Sequence, residues 1–161
     1  MKNNNFYKLI FILIANLISL NLVYAEQFNF DVTEIEILNK GNLYKGLKRG
    51  TITTEDGIII NANTFIYNKI TNIVDAEGNV KVEDTINNYV LFSDTATYKK
   101  NEEIVITKGN SKGIDNKNRT ITSDKITYNK ITNIVDAEGD VKVEDTINNY
   151  VLFSDTATYK K

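Results

Sequence analysis

The chain has 161 residues, a formal net charge of −2, and no Cys, His, Pro or Trp. Without Cys there is no disulfide framework, thiolate zinc site or thiol nucleophile. Without His the commonest general base and metal ligand are missing, and the near-neutral balance lacks the basic stripe of a nucleic-acid binder.

Residues 1–25 form a separate object. Lys2 and Lys8 make a basic start with no acid. Leu9 to Leu22 is a mostly apolar run of 14 residues, interrupted by Asn16, Ser19 and Asn21. Val23-Tyr24-Ala25 supplies a small-residue cleavage site, and polar sequence begins at Glu26. This order is that of a secretory signal peptide. The alternative, an uncleaved anchor, needs about 20 apolar residues to span a bilayer, and the run is shorter. The exported domain is then 26–161, with 17 basic and 21 acidic residues.

The exported part reads as β throughout. Within Phe30 to Leu38 the stretch Glu34-Ile35-Glu36-Ile37 alternates apolar and charged, which predicts a strand. Val80-Lys81-Val82-Glu83 alternates in the same way, and Tyr89 to Tyr98 is rich in aromatic, β-branched and Thr residues. Glu77-Gly78-Asn79 and Thr85-Ile86-Asn87-Asn88 read as turns between strands. No stretch sustains the apolar spacing of a helix.

Two levels of repeat organise these strands. Residues 67–100 and 128–161 are identical except for Asn79 against Asp140, at an offset of 61. Beneath this lies an older period of about 30. Tyr67, Tyr98, Tyr128 and Tyr159 close related five-residue motifs at steps of 31, 30 and 31, and Gly78, Gly109 and Gly139 keep similar steps. A fixed period of this size signals stacked units that cannot bury their faces alone.

The repeats also identify an inward face. The third motif position is Phe65, Ala96, Ile126 or Ala157, and the fifth is always Tyr. Both belong to the apolar side, with Val80, Val82, Val141 and Val143 as partners; Val90 and Phe92 share the parity of Ala96 and Tyr98. On pattern alone this face is the core of a sandwich.

Ala76-Glu-Gly-Asn-Val-Lys-Val82 recurs as Ala137-Glu-Gly-Asp-Val-Lys-Val143, and Ser-Asp is followed by Tyr four residues after the Asp in Ser93-Asp94 to Tyr98 and Ser123-Asp124 to Tyr128. With the leader and the all-β repeat, these motifs resemble the OstA-like (organic solvent tolerance) domain of the lipopolysaccharide-transport proteins. The resemblance covers 26–161. It implies a repetitive antiparallel β-jelly roll whose two sheets meet in an open V. It implies a periplasmic, non-enzymatic domain without a cofactor, which carries lipopolysaccharide acyl chains in an apolar groove. The groove residues would be Phe65, Tyr67, Val80, Val82, Val90, Phe92, Ala96, Tyr98, Ile126, Tyr128, Val141 and Val143. The partners implied are lipopolysaccharide and other OstA-like bridge proteins or an outer-membrane barrel, joined by strand addition at free edges.

Competing readings are a secreted structural or adhesive β-solenoid with a filled interior and no lipid, and, more weakly, an enzyme. Asp75, Glu77, Glu83, Asp84 and Asp94 lack the calcium-loop pattern and read as a solvated face. Lys45, Lys48 and Arg49 form a small basic cluster that reads as solvent-facing charge, with lipid phosphates as the functional alternative. For the leader, N-terminal sequencing of exported protein is expected to begin at Glu26; a sequence beginning at Met1 would exclude cleavage.

Overall fold

The structure, a computed structural model, describes residues 28–160. The predicted leader over 1–25 lies outside the described residues. Six short strands come first: β1 (Asn29–Val32), β2 (Ile35–Leu38), β3 (Leu43–Gly46), β4 (Gly50–Thr53), β5 (Ile58–Ala62) and β6 (Thr64–Asn68). Six long ones follow: β7 (Ile73–Asp84), β8 (Tyr89–Lys99), β9 (Ile104–Ile114), β10 (Thr120–Asn129), β11 (Ile134–Asp145) and β12 (Tyr150–Lys160). All pair antiparallel in one open 12-stranded sheet, and its two ends do not pair with each other.

The sheet forks at β7. Its 81–84 part pairs with β5, which continues to β4 and β1. Its 73–77 part pairs with β6, which continues to β3 and β2. The long strands from β7 onward contribute one half to each limb. The limbs fold face to face into a first layer (carrying β1, β4 and β5) and a second layer (carrying β2, β3 and β6). Contacts between distant halves fix that facing: Tyr89 of the first layer meets Tyr128 of the second with ring centroids 5.0 Å apart. Phe28, just before β1, lies 4.5 Å from the Tyr67 ring in β6.

The bend between layers is a line of β-bulges crossing the sheet. Gly78 and Asn79 oppose the single residue Asp94, because the register jumps between Glu77 and Val80. Gly139 and Asp140 repeat this on β11. The pairs Gly78-Asn79, Gly109-Asn110 and Gly139-Asp140 all take left-handed backbone, with φ between 45° and 80°. Gly is needed at the first position for two reasons. Its φ is positive, and the neighbouring strand's polar side chain lies over it. A Cβ on Gly109 would collide with the Asp94 carboxylate, and one on Gly139 with that of Asp124; at Gly78 it would meet Asn63 Nδ2 at 2.6 Å. Asn110 Nδ2 also donates to Asp94 Oδ2 at 2.9 Å.

Two sequence expectations change here. Glu77-Gly78-Asn79 is not a turn between strands: β7 runs through it, and the chain bends without leaving the ladder. The single strand read over Phe30 to Leu38 is two, β1 and β2, broken at Thr33-Glu34 so that each half joins a different limb. The Thr85 to Asn88 turn is as read.

The core lies between the layers. Ile52, Ile58, Ile60, Val74, Val105 and Ile126 are wholly or almost wholly buried in one cluster with Phe65 and the inner tyrosines. Gly139→Ala is expected to lose about 1–2 kcal/mol from left-handed backbone alone, and more from the collision. Asp124→Ala in the same chain should restore only the steric part. Urea denaturation reads both, and an unchanged midpoint for Gly139→Ala would contradict this account of the bend.

Candidate functional site

The residues predicted to face inward fall into three groups. Phe65, Tyr67, Val80, Val82, Ala96, Tyr98, Ile126, Tyr128 and Val141 are buried together between the layers. Val143 and the related Ala157 and Tyr159 are half-buried and pack against that cluster at its C-terminal end. Val90 and Phe92 lie on the other face: Val90 is half-covered and Phe92 is 37% exposed.

The bulge is the reason. Counting back by twos from Tyr98 and Ala96 reaches Phe92 and Val90, but the register jumps between Phe92 and Thr95. The inward set on β8 is therefore Tyr89, Leu91 and Ser93, then Ala96 and Tyr98. β10 shifts in the same way, with Ser123 inward and then Ile126 and Tyr128. On β7 and β9, which carry the Gly-Asn pair, the parity is unbroken, so Val80 and Val82 continue Val74 and Ala76. Tyr89 and Leu91 escape a reading by parity. Their signal is the Ser-Asp pair, which marks the strands that shift.

The recurring tyrosines tie the ends of the layers together. Tyr98 donates to Asp56 Oδ2 at 2.6 Å across from the β4–β5 turn. Tyr128 donates to Asp84 Oδ2 at 2.7 Å in the β7–β8 turn, where Asn87 Nδ2 donates back to its hydroxyl at 3.1 Å. Tyr159 meets Arg119, which holds Asp115 through Nε at 2.7 Å. Each acid also organises its own turn: Asp84 Oδ1 accepts the backbone N–H groups of Ile86 and Asn87, both at 2.9 Å. Asp84 is thus a buried structural acid and not a member of a solvated face, whereas Asp94 is exposed as read and also covers Gly109. Burial, together with the bond to Asp84, pushes the Tyr128 hydroxyl well above the usual phenol range.

The first tie is also the most charged. Lys100, whose side chain is buried, reaches Asp56 Oδ1 at 3.1 Å. Lys130 lies 3.6 Å from Asp56 Oδ2 and 3.2 Å from Glu103 Oε2. Burial alone would raise the Asp56 carboxyl, but hydrogen bonds from Thr54, Tyr98 and Lys100 and the ammonium charge hold it at about 2. Of the small basic cluster, Lys48 pairs with Glu34 at 3.1 Å on the surface.

Where the layers run out at β12, the interior opens into a cavity of about 210 Å³. Leu91, Ile121, Val135, Val143 and Leu152 line it, and Asp115, Arg119 and Tyr159 stand among its polar walls. Ile121, Val143, Ala157 and Tyr159 are only partly buried at this end, as Phe30, Val32 and Tyr44 are at the other.

A sheet bent along a bulge line, with a two-layer apolar interior and free edge strands, defines an OstA-type β-jelly roll. The family model for OstA-like protein matches residues 21–161, and the chain belongs to that family. No curated protein sequence matches it. Among solved structures it is similar to LptH from Pseudomonas aeruginosa, described as the LptA-homologous periplasmic component of the conserved lipopolysaccharide transport device. The TM-score is 0.65 at 14% identity, covering 84% of this chain and 96% of that one.

The Asp56 carboxylate is depressed on folding, so its stabilisation is present above the unfolded value of 3.8 and is lost as pH falls through about 2. That loss is expected to be about 2 kcal/mol. Asp56→Asn should lose a similar amount at neutral pH and flatten the acid limb. Thermal unfolding measured against pH checks this, and parallel profiles for the two proteins would refute it.

Proposed function

We propose that this chain is a non-enzymatic, periplasmic lipopolysaccharide-transport domain that holds acyl chains between its two β layers and joins neighbouring domains at its free edges. The observation that carries this reading is the apolar cavity at the C-terminal end of the interior, in a chain of the OstA-like family. The similarity to LptH supports the fold on which it rests. Cleavage after Ala25 would deliver residues 26–161 to the periplasm.

The physics is transfer out of water. Each buried CH₂ contributes about 0.8 kcal/mol, so a chain of several methylenes in the cavity gains enough to be held without covalent chemistry. The acyl chain enters beside Leu152 and Val143 and extends toward Leu91 and Val82 as the layers part. The Asp56, Asp84 and Asp115 ties set how far they part. Partners are other OstA-like bridge proteins or an outer-membrane barrel, added as strands to β12 or to the β1–β2 edge.

Photo-crosslinking residues test this in cells that contain the bridge partners. Lipid capture is expected with the crosslinker at Val143, Leu152 and Val82, and none at the outward Lys81 and Phe92. Folded protein that captures no lipid at any of the three inner positions would remove lipid carriage and leave the filled structural β-solenoid.

A further inference from the structure

Opposite the bulge line the two layers end in two rows of turns. The second layer's row holds the β2–β3, β6–β7, β8–β9 and β10–β11 turns. Backbone bonds join them in sequence: Lys69 N–H to Asn42 O at 2.9 Å, Lys100 N–H to Asn72 O at 3.1 Å and Lys130 N–H to Glu103 O at 3.0 Å. The first layer's row holds the β4–β5, β7–β8, β9–β10 and β11–β12 turns. The rows meet where Lys130 lies 3.6 Å from Asp56 Oδ2, so together they form one rim. Ile70, Ile86, Ile131 and Ile147 are 62% to 73% exposed, more than any other large apolar residue described except Phe153. All four stand in turns of this rim.

The turns hold these isoleucines at their tips. Asn68 Oδ1 accepts the Ile70 N–H, Asp84 Oδ1 that of Ile86 and Asp145 Oδ1 that of Ile147, each at 2.9 Å. Asn129 Oδ1 accepts the N–H of Thr132, beside Ile131, at 2.9 Å. Ile86 lies over Gly57, where a Cβ would meet its Cγ1 at 2.9 Å. Ile86 and Ile131 thus flank the crossing of Asp56 and Lys130. Along each row the isoleucines alternate with polar tips. Asn101 and Glu102 stand between Ile70 and Ile131, and Asn116, Lys117 and Asn118 between Ile86 and Ile147. No continuous apolar face results, such as the core of a protein interface needs. The charges are sorted as well. Asp84, Asp115 and Asp145 are buried, and Asp56 is bound by Lys100. Glu102 and Glu103 are held by Lys99 and Lys130. Lys40, Lys69 and Lys117 stand exposed at the tips, against Glu55.

We propose that this rim seats the domain on an anionic phospholipid bilayer, with each isoleucine dipping below the headgroups while the Asn, Thr and Lys neighbours stay among them. A fluid surface accepts separate apolar points, which a rigid partner with a flat apolar patch does not. Binding at such an interface grows with the apolar area buried and with the attraction of basic groups to anionic lipid. The withdrawn acids and the exposed Lys40, Lys69 and Lys117 supply the second term. Seated in this way, the gap between the layers faces the lipid. The proposal goes beyond acyl-chain carriage and does not depend on it.

Vesicles of phosphatidylethanolamine and phosphatidylglycerol, titrated onto the exported protein, test this. The chain has no Trp, so a single introduced tryptophan reports its own position. Ile86→Trp and Ile131→Trp are each expected to shift their emission to the blue on vesicles. Phe92→Trp, on the outer face of the first layer, is expected to stay unshifted. Ile70→Ser, Ile86→Ser, Ile131→Ser and Ile147→Ser in one chain should weaken vesicle co-sedimentation about tenfold or more, at an unchanged urea midpoint. No blue shift at either rim position, or an equal shift at Phe92→Trp, would overturn the proposal. A shift that grows with protein concentration in the absence of vesicles would overturn it in favour of a second copy of this chain. These vesicles hold no lipopolysaccharide, so none of the outcomes bears on acyl-chain carriage.

Discussion

Everything in this molecule depends on a bend that does not break the hydrogen-bonded ladder. A strand of 11 or 12 residues can serve two layers only if each of its neighbours bends at the same height. The left-handed Gly-X pair supplies the extra residue on one strand. The short acid on the next fills the space left by the missing Cβ. Because Asp94 and Asp124 lie over Gly109 and Gly139 of the following strands, β8 sets the height of the bend for β9 and β10 sets it for β11. The layered interior, the tyrosine ties and the open C-terminal end are downstream of that line.

The tyrosine–acid contacts answer a second problem. A two-layer interior of Val, Ala and Ile has nothing directional to hold its rims together, since apolar burial is indifferent to small sliding motions. Phenols reaching carboxylates that already organise tight turns fix the layers at points some 42 to 44 residues apart in sequence. Those bonds are partly buried, where losing one partner costs more than the bond's net worth. The cavity near Val143 has the third of these ties, Tyr159 with Arg119 and Asp115, in its wall.

Much of the fold was legible because repeats make the same statement several times. The strand class, the period of about 30 and the inward Tyr67, Tyr98 and Tyr128 all follow from alternation and spacing. The facing of Val90 and Phe92 did not, since period-2 counting assumes an uninterrupted pleat and the facing of β8 shifts at Asp94-Thr95, opposite the extra residues of β7 and β9. The role of Gly78 was misread for a related reason. Glycine beside Asn marks positive φ equally well in a hairpin turn and in a bulge, and only the partner strand distinguishes them. Contacts such as Tyr98 with Asp56 were beyond reach, because they depend on how two limbs face each other after the fork at β7.

The near-perfect copy also creates an ambiguity during folding. β7–β8 and β11–β12 are chemically interchangeable, and β9 and β10 lie between them in sequence, each able to recognise either version of its neighbour. Contact chemistry cannot choose between the native threading and one in which β12 occupies the place of β8. What chooses is chain connectivity: β9 begins a few residues after β8 ends, whereas a swapped β12 must close a loop of several dozen residues. Closure entropy grows only slowly with loop length, so the preference is kinetic more than thermodynamic. Pairing in chain order from the amino-terminal side would keep the two copies in their own places.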